Sequence, residues 1–188
     1  MEKKIRKVHL GCADNVWEGW ENYDINPVDD RVKYINLMKF PYPFEDVSVD
    51  EVMFSHVLEH LPAPHMRYLF EIHRFMKTGG ILHLHLPSWG NIITHCGHRF
   101  NAGYLNPMLS NKVIWSGKII SKKPNWKSGT LFYNGFLFEC LEYHEKIKTI
   151  GHPIEILLGN RPLVTKNLYW KLKRLDAKRV DLDADNSK

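Results

Sequence analysis

The sequence predicts an open α/β sheet of mostly parallel strands. Three observations carry this. Short apolar, strand-like runs recur between loops over the first 55 residues, one strongly periodic helix comes next, and another alternating strand follows that helix at once. The first strand is read at 7–10, the second at 20–25, the third at 32–37 and the fourth at 51–55. The helix is read from Pro62, with Met66, Leu69, Phe70, His73 and Met76 at helical spacing, proline near the start where it is tolerated, and Gly79-Gly80 as the stop. In the fifth strand, 81–86, Leu82, Leu84 and Leu86 alternate with Ile81, His83 and His85, so its two faces are chemically unlike.

Beyond Pro87 the pattern loosens up to about Asn134, and this stretch is read as a variable region. Residues 136–148 and 167–175 read as later strands bracketing a short helical piece at 154–158. The expected organisation is one domain over 1–175, with halves at 1–87 and 88–175, and a flexible, charge-rich tail over 176–188.

Composition bounds the rest. A chain of 188 residues, 44% apolar and 25% charged, suits one globular domain. No apolar run approaches the ~20 residues that span a bilayer, so no membrane span is expected. The basic N-terminus resembles a secretory leader, but its apolar stretch breaks at Gly11, so a cytoplasmic location is expected. Cys12, Cys96 and Cys140 show no C-x-x-C spacing, which suits a reducing compartment and suggests neither disulfides nor a zinc ribbon.

Charge is uneven: up to Phe75 the formal sum is −4, with 9 Lys/Arg against 13 Asp/Glu, and from Met76 it is +9. Such asymmetry would concentrate an anionic partner such as a phosphorylated sugar, lipid head group or nucleic acid, although a solvated lysine-rich face is the more ordinary reading. Lys112 to Lys127 interleaves lysines with Trp115 and Trp126, a weak pointer to nucleic acid or a sugar phosphate.

The chemistry gathers where the strands end. Gly11-Cys12-Ala13 follows the first strand, Asp24 ends the second, Asn36-Leu37 the third and Ser55-His56 the fourth, all at the carboxyl edge where open α/β sheets bind ligands. A carboxylate after the second strand can accept both hydrogen bonds of a ribose diol, though Asp24 also reads as a turn residue before Pro27. As a dinucleotide fingerprint GCADNV fails, because it keeps one glycine and places the acid 13 positions on instead of about 20. That gap also leaves no room for a full helix between the first two strands.

Taken in order, VHLGCADNVWEGWENYDINP, VKYINLMKFPYPFEDVSVDEVMFSHVLEHL and EIHRFMKTGGILHLHLP resemble the class I S-adenosylmethionine-dependent methyltransferases of the methyltransferase type 11-like, short-first-helix group. The resemblance covers Lys7 to Pro87 and, more faintly, the C-terminal strands. It implies a Rossmann-like fold whose last strand is antiparallel, the pair after Phe136 forming that edge. It also implies S-adenosylmethionine as cofactor and methyl transfer to a small-molecule or glycan acceptor. Gly11, Cys12 and Ala13 would line its methionine part, Asp24 and Ile25 its ribose and adenine, and Asn36 and Leu37 the adenine edge; Ser55 and His56 complete the set, His56 facing the methyl group. Ala13 and Asn36 depart from the family's usual glycine and aspartate, and would favour the alternative of a non-catalytic module that has lost the cofactor. For an oxygen acceptor His56 is the best-placed base, although it reads more readily as a histidine that only caps the strand or orders the loop, and Glu59 either orients it or simply opens the next helix.

No metal site is expected. His56 to His60 matches H-x-x-E-H, yet its first histidine ends a strand and does not sit on a helix face. His95, Cys96 and His98 read equally as a loop, and His83 with His85 read as satisfied imidazoles on a face packed against a helix.

Overall fold

A computed structural model of the chain describes residues 5–88, 100–101, 104–110, 112–115, 118–121, 133–134, 137–150 and 163–179. The strands are β1 (Lys7–Leu10), β2 (Glu21–Asp24), β3 (Val32–Tyr34), β4 (Val49–Ser55), β5 (Met76–Pro87), β6 (Lys112–Trp115), β7 (Lys118–Ser121), β8 (Tyr133–Asn134), β9 (Phe138–Ile150), β10 (Leu163–Arg174) and β11 (Lys178–Arg179). The helix α1 is Met66–Phe75. The main sheet runs β3-β2-β1-β4-β5-β10-β9, parallel up to β5, with β10 antiparallel to both neighbours. The mostly parallel sheet with an antiparallel C-terminal edge is therefore present. β6 pairs with β7, and β8 with β11, as two small accessory ribbons. The piece read at 154–158 lies outside the described residues, as do His95, Cys96 and His98.

Helix α1 differs from expectation at both ends. Pro62 and Pro64 push the residues before them toward extended backbone, so the first α-helical residue is Met66. The helix stops at Phe75, well before Gly79-Gly80, because Met76 already pairs with Val49 as the start of β5. The glycines instead serve a register shift inside that strand. Gly79 has φ +83°, and a Cβ on Gly80 would sit 2.8 Å from the Lys77 carbonyl and 2.9 Å from that of Asp50.

Alternation in the central strands divides the sheet into unlike faces. Val8, Leu10, Val52, Phe54, Leu82, Leu84, Leu168, Trp170 and Leu172 are buried, and they share one core with Tyr68, Leu69, Ile72 and Phe75 of α1. Each such side chain contributes about 1.5–3 kcal/mol on leaving water. The opposite face carries Lys7, Glu51, Met53, His83, His85, Tyr169 and Lys171, and among the described residues no helix covers it. His83 and His85 therefore do not pack against the helix, contrary to expectation. Their polarity is satisfied within the sheet: His83 Nε2 lies 2.9 Å from Glu51, its Nδ1 3.0 Å from the Tyr169 hydroxyl, and His85 Nδ1 3.0 Å from Ser55 Oγ. No helix among the described residues is long and apolar enough to cross a membrane.

Candidate functional site

Register builds the site. Leu10 lies beside Tyr23 on one side and Phe54 on the other, so the residues following β1, β2 and β4 emerge together at the carboxyl edge. The β1–β2 connection is a loop without a helix. Asn22 holds it, accepting from the Trp17 N–H at 3.0 Å and donating to the Trp17 carbonyl at 2.9 Å.

Gly11 opens this loop with φ +66°, and its N–H donates to the Tyr23 carbonyl at 2.8 Å, as the Cys12 N–H does at 3.1 Å. A Cβ at Gly11 would fall 2.4 Å from Val57 Cγ2, so the loop after β1 and the chain after β4 approach as closely as glycine allows. Cys12 is buried, and burial, with Asp24 second, pushes its thiol pKa up, which keeps it protonated. Ala13 holds φ +47°, a left-handed backbone that explains why a glycine would be at home there. Asp24 secures the bend: its Oδ2 accepts from the Ala13 N–H at 3.0 Å and its Oδ1 from the Asn26 N–H at 2.9 Å. Each oxygen keeps acceptor capacity, since an ionised carboxylate offers about four acceptor sites.

Ile25 stands 54% exposed beside Asp24, an apolar surface free for a flat ring. Asn36 is half-buried, and Leu37 is turned into the protein. The Asn36 amide oxygen accepts from the Met38 N–H at 3.0 Å, leaving its NH2 to donate outward, while Leu37 is buried and its carbonyl accepts from the Tyr42 hydroxyl at 2.9 Å.

His56 sits one residue past β4 with φ +55° and its N–H on the His85 carbonyl at 3.1 Å. A non-glycine residue in this region costs of order 1–3 kcal/mol and occurs mainly where surrounding structure imposes it. The strained backbone aims His56 Nδ1 at Glu59 Oε1, 3.1 Å away. Glu59 is buried in the 3-10 turn Leu58–His60, and its other oxygen, Oε2, has no hydrogen-bond partner among the described residues. An ionised Glu59 accepts from Nδ1–H and so leaves Nε2 as the basic nitrogen of a half-exposed ring. Glu59 thus contacts His56 and lies in a 3-10 turn that precedes α1. His85 is held neutral, its pKa brought down to about 4 by burial first and then by His56 and His83. Among the described residues no three His, Cys, Asp or Glu side chains converge as metal ligands.

Val57 and His85 are the site residues that sequence reasoning missed as such. Val57 gave no signal beyond being apolar, whereas His85 was visible as one of two histidines on one strand face.

A strand order of 3-2-1-4-5 extended by an antiparallel pair, with loops converging on a glycine-led turn and an acid after the second strand, defines a class: the Rossmann-like fold of class I S-adenosylmethionine-dependent methyltransferases. Residues 20–84 match the family model described as "Methyltransferase domain", which indicates S-adenosylmethionine as the cofactor. Comparison with curated proteins finds no match. A solved structure of a proposed methyltransferase from Bacillus halodurans is 13% identical, covers 92% of this chain and 94% of its own, and superposes with a TM-score of 0.50, a likeness of fold. A SAM-dependent methyltransferase from Methanosarcina mazei is 14% identical over 93% of this chain and 95% of its own, with a TM-score of 0.48. The chain spans less than half of some matched structures: it covers 46% of the Haloferax volcanii chain from a complex of the Trm112 methyltransferase activator, at 22% identity and a TM-score of 0.34.

Proposed function

We propose that this protein transfers a methyl group from S-adenosylmethionine to a hydroxyl of an anionic or glycan-like acceptor, with His56 as base and Glu59 as its positioning residue. The observation that carries the reading is the His56–Glu59 pair, 3.1 Å apart, at the strand edge that also holds the Asp24-braced turn. The turn fits a nucleoside: the unused acceptor sites of Asp24 suit a ribose diol, and exposed Ile25 suits a flat base. The Asn36 NH2 can donate to a base nitrogen.

When bound, S-adenosylmethionine supplies a methyl on a positively charged sulfur, and the C–S bond electrons return to sulfur as the acceptor oxygen takes the carbon. The chain's own contribution is alignment and proton removal. His56 Nε2 takes the hydroxyl proton as the new C–O bond forms, and buried Glu59 stabilises the resulting imidazolium through Nδ1–H. Neutral His85, bonded to Ser55, holds the adjoining wall without adding a competing charge. Residues 1–175 form the single domain of this reading, with the acceptor side supplied by the strands after β5.

Isothermal titration with S-adenosylhomocysteine tests the cofactor half. Binding is expected, weakened about tenfold or more by Asp24→Asn, which loses charge and half of its acceptors. No heat at high micromolar ligand overturns the reading in favour of a fold retained without its cofactor.

A further inference from the structure

Resting on that reading, we propose that the acceptor lies on the polar face of the sheet beside His56, and that it is a glycan phosphate about two sugar rings long. The face that lacks α1 holds a depression of about 570 Å³ lined by Met53, His56, His85, Tyr169, His144 and Lys146, among others. The larger hollow of about 670 Å³ lies against Met66, Arg67 and Phe70 of α1 and includes none of the carboxyl-edge residues.

Pairing sets the order of groups along the depression. Ser55 is beside His85, His85 beside Tyr169, and Tyr169 beside His144, on four adjacent strands, with Lys146 one pleat further along β9 opposite Asn167. Toward β1 the face is closed by Trp17, whose ring lies 4.8 Å from that of buried His9. The base therefore stands at one end and a cation at the other, three strand spacings or roughly 14 Å apart. Lys146 is exposed and has no ion-pair partner among the described residues, unlike Lys7 and Lys171, which sit on Glu51 and Glu142. Between the ends the floor is neutral and suited to hydroxyls. His85 is uncharged, and the Tyr169 and His144 rings stack, 9° from parallel with centroids 5.8 Å apart, an aromatic stretch against which a sugar can pack. A nucleophilic hydroxyl at His56 and an anionic group at Lys146, beside a His144 whose Nε2 lies 3.6 Å from Glu142, satisfy both ends at once, and a single ring is too short to do so.

Diethyl pyrocarbonate footprinting of the full chain, read by mass spectrometry at His56 and His144, tests the span. The probes are maltose 1-phosphate, glucose 1-phosphate and maltose. Maltose 1-phosphate is expected to protect both histidines, glucose 1-phosphate His144 alone, and maltose neither at the same concentration. Lys146→Ala, on the exposed surface, is expected to raise the maltose 1-phosphate needed for protection about tenfold and to leave S-adenosylhomocysteine affinity unchanged. Equal protection by maltose and its phosphate, protection indifferent to Lys146→Ala, or an unprotected His56 overturns the proposal. S-adenosylhomocysteine titration of the same samples separates the two readings. Cofactor binding without protection sinks the acceptor site alone. Absent cofactor binding sinks the methyl-transfer reading, while the footprint, which needs no cofactor, still decides the face.

Discussion

Gly11→Ala probes the contact on which the candidate site is assembled, and its cost can be worked out in two parts. Alanine in the left-handed backbone that Gly11 occupies, at φ +66°, costs about 1–2 kcal/mol and cannot be relieved by neighbours. The new methyl would stand 2.4 Å from Val57 Cγ2, and because a β-branched side chain has little χ1 freedom, that overlap costs roughly 1–3 kcal/mol more. Val57→Ala removes the obstructing methyls at a cost of about 1 kcal/mol for a partly buried side chain. Gly11→Ala is thus expected to destabilise by about 2–5 kcal/mol in the native background and by only ~1–2 kcal/mol in Val57→Ala. Urea unfolding of the four proteins, with unchanged denaturant slope, measures a coupling of about 1–3 kcal/mol. The same penalty in both backgrounds would refute the close approach of the β1 and β4 ends, since strain in φ alone does not depend on Val57.

Ala13→Gly should act in the opposite direction: release of the φ +47° backbone outweighs the entropy of an added glycine by about 0.5–1 kcal/mol and raises the melting midpoint by roughly 1–4 °C in calorimetry. In a labelled-methyl assay against extract fractions, His56→Gln should lower kcat by about 10²- to 10⁴-fold while S-adenosylhomocysteine binding stays within about twofold. Glu59→Gln should lower kcat less and move the acidic limb of the pH profile to lower pH, because loss of the carboxylate makes His56 less basic without removing the ring. Buried His73, whose pKa is brought down to about 4 mainly by burial, makes stability pH-dependent. Between about pH 6.5 and 4 the unfolded chain binds a proton that the folded one refuses, so stability falls on acidification by up to ~1.4 kcal/mol per pH unit and levels off below. His85, its pKa brought down to about 4 as well, adds a slope of the same sign, so His73→Gln should lower the slope of urea midpoints taken at pH 7, 5.5 and 4.5 without abolishing it; an unchanged slope would contradict the burial.

How far the sequence could be read depended on whether a feature was local. Residues 7–10 have the same bounds in both accounts because Val8 and Leu10 point to one face, a period of two that needs no partner to be seen. The carboxyl-edge set from Gly11 to His56 was legible for the same reason: strand ends are local, and parallel pairing then brings them together. The third strand was read too long because Ile35 and Leu37 are apolar. They are buried, but in a loop that enters the core, while Asn36 bonds within its own turn.

Sequence by itself determined the α/β class, the two-faced fifth strand, two later strands and the acid after the second strand, all short-range patterns of polarity and spacing, while the antiparallel sense of the later pair came only from the family resemblance. Tertiary structure alone decided where α1 ends, that Val57 requires a glycine at position 11, and that His85, Tyr169 and His144 share one polar face. Those outcomes follow from register between strands far apart in the chain, and a pairing offset of a single residue would turn every one of these side chains to the other side of the sheet.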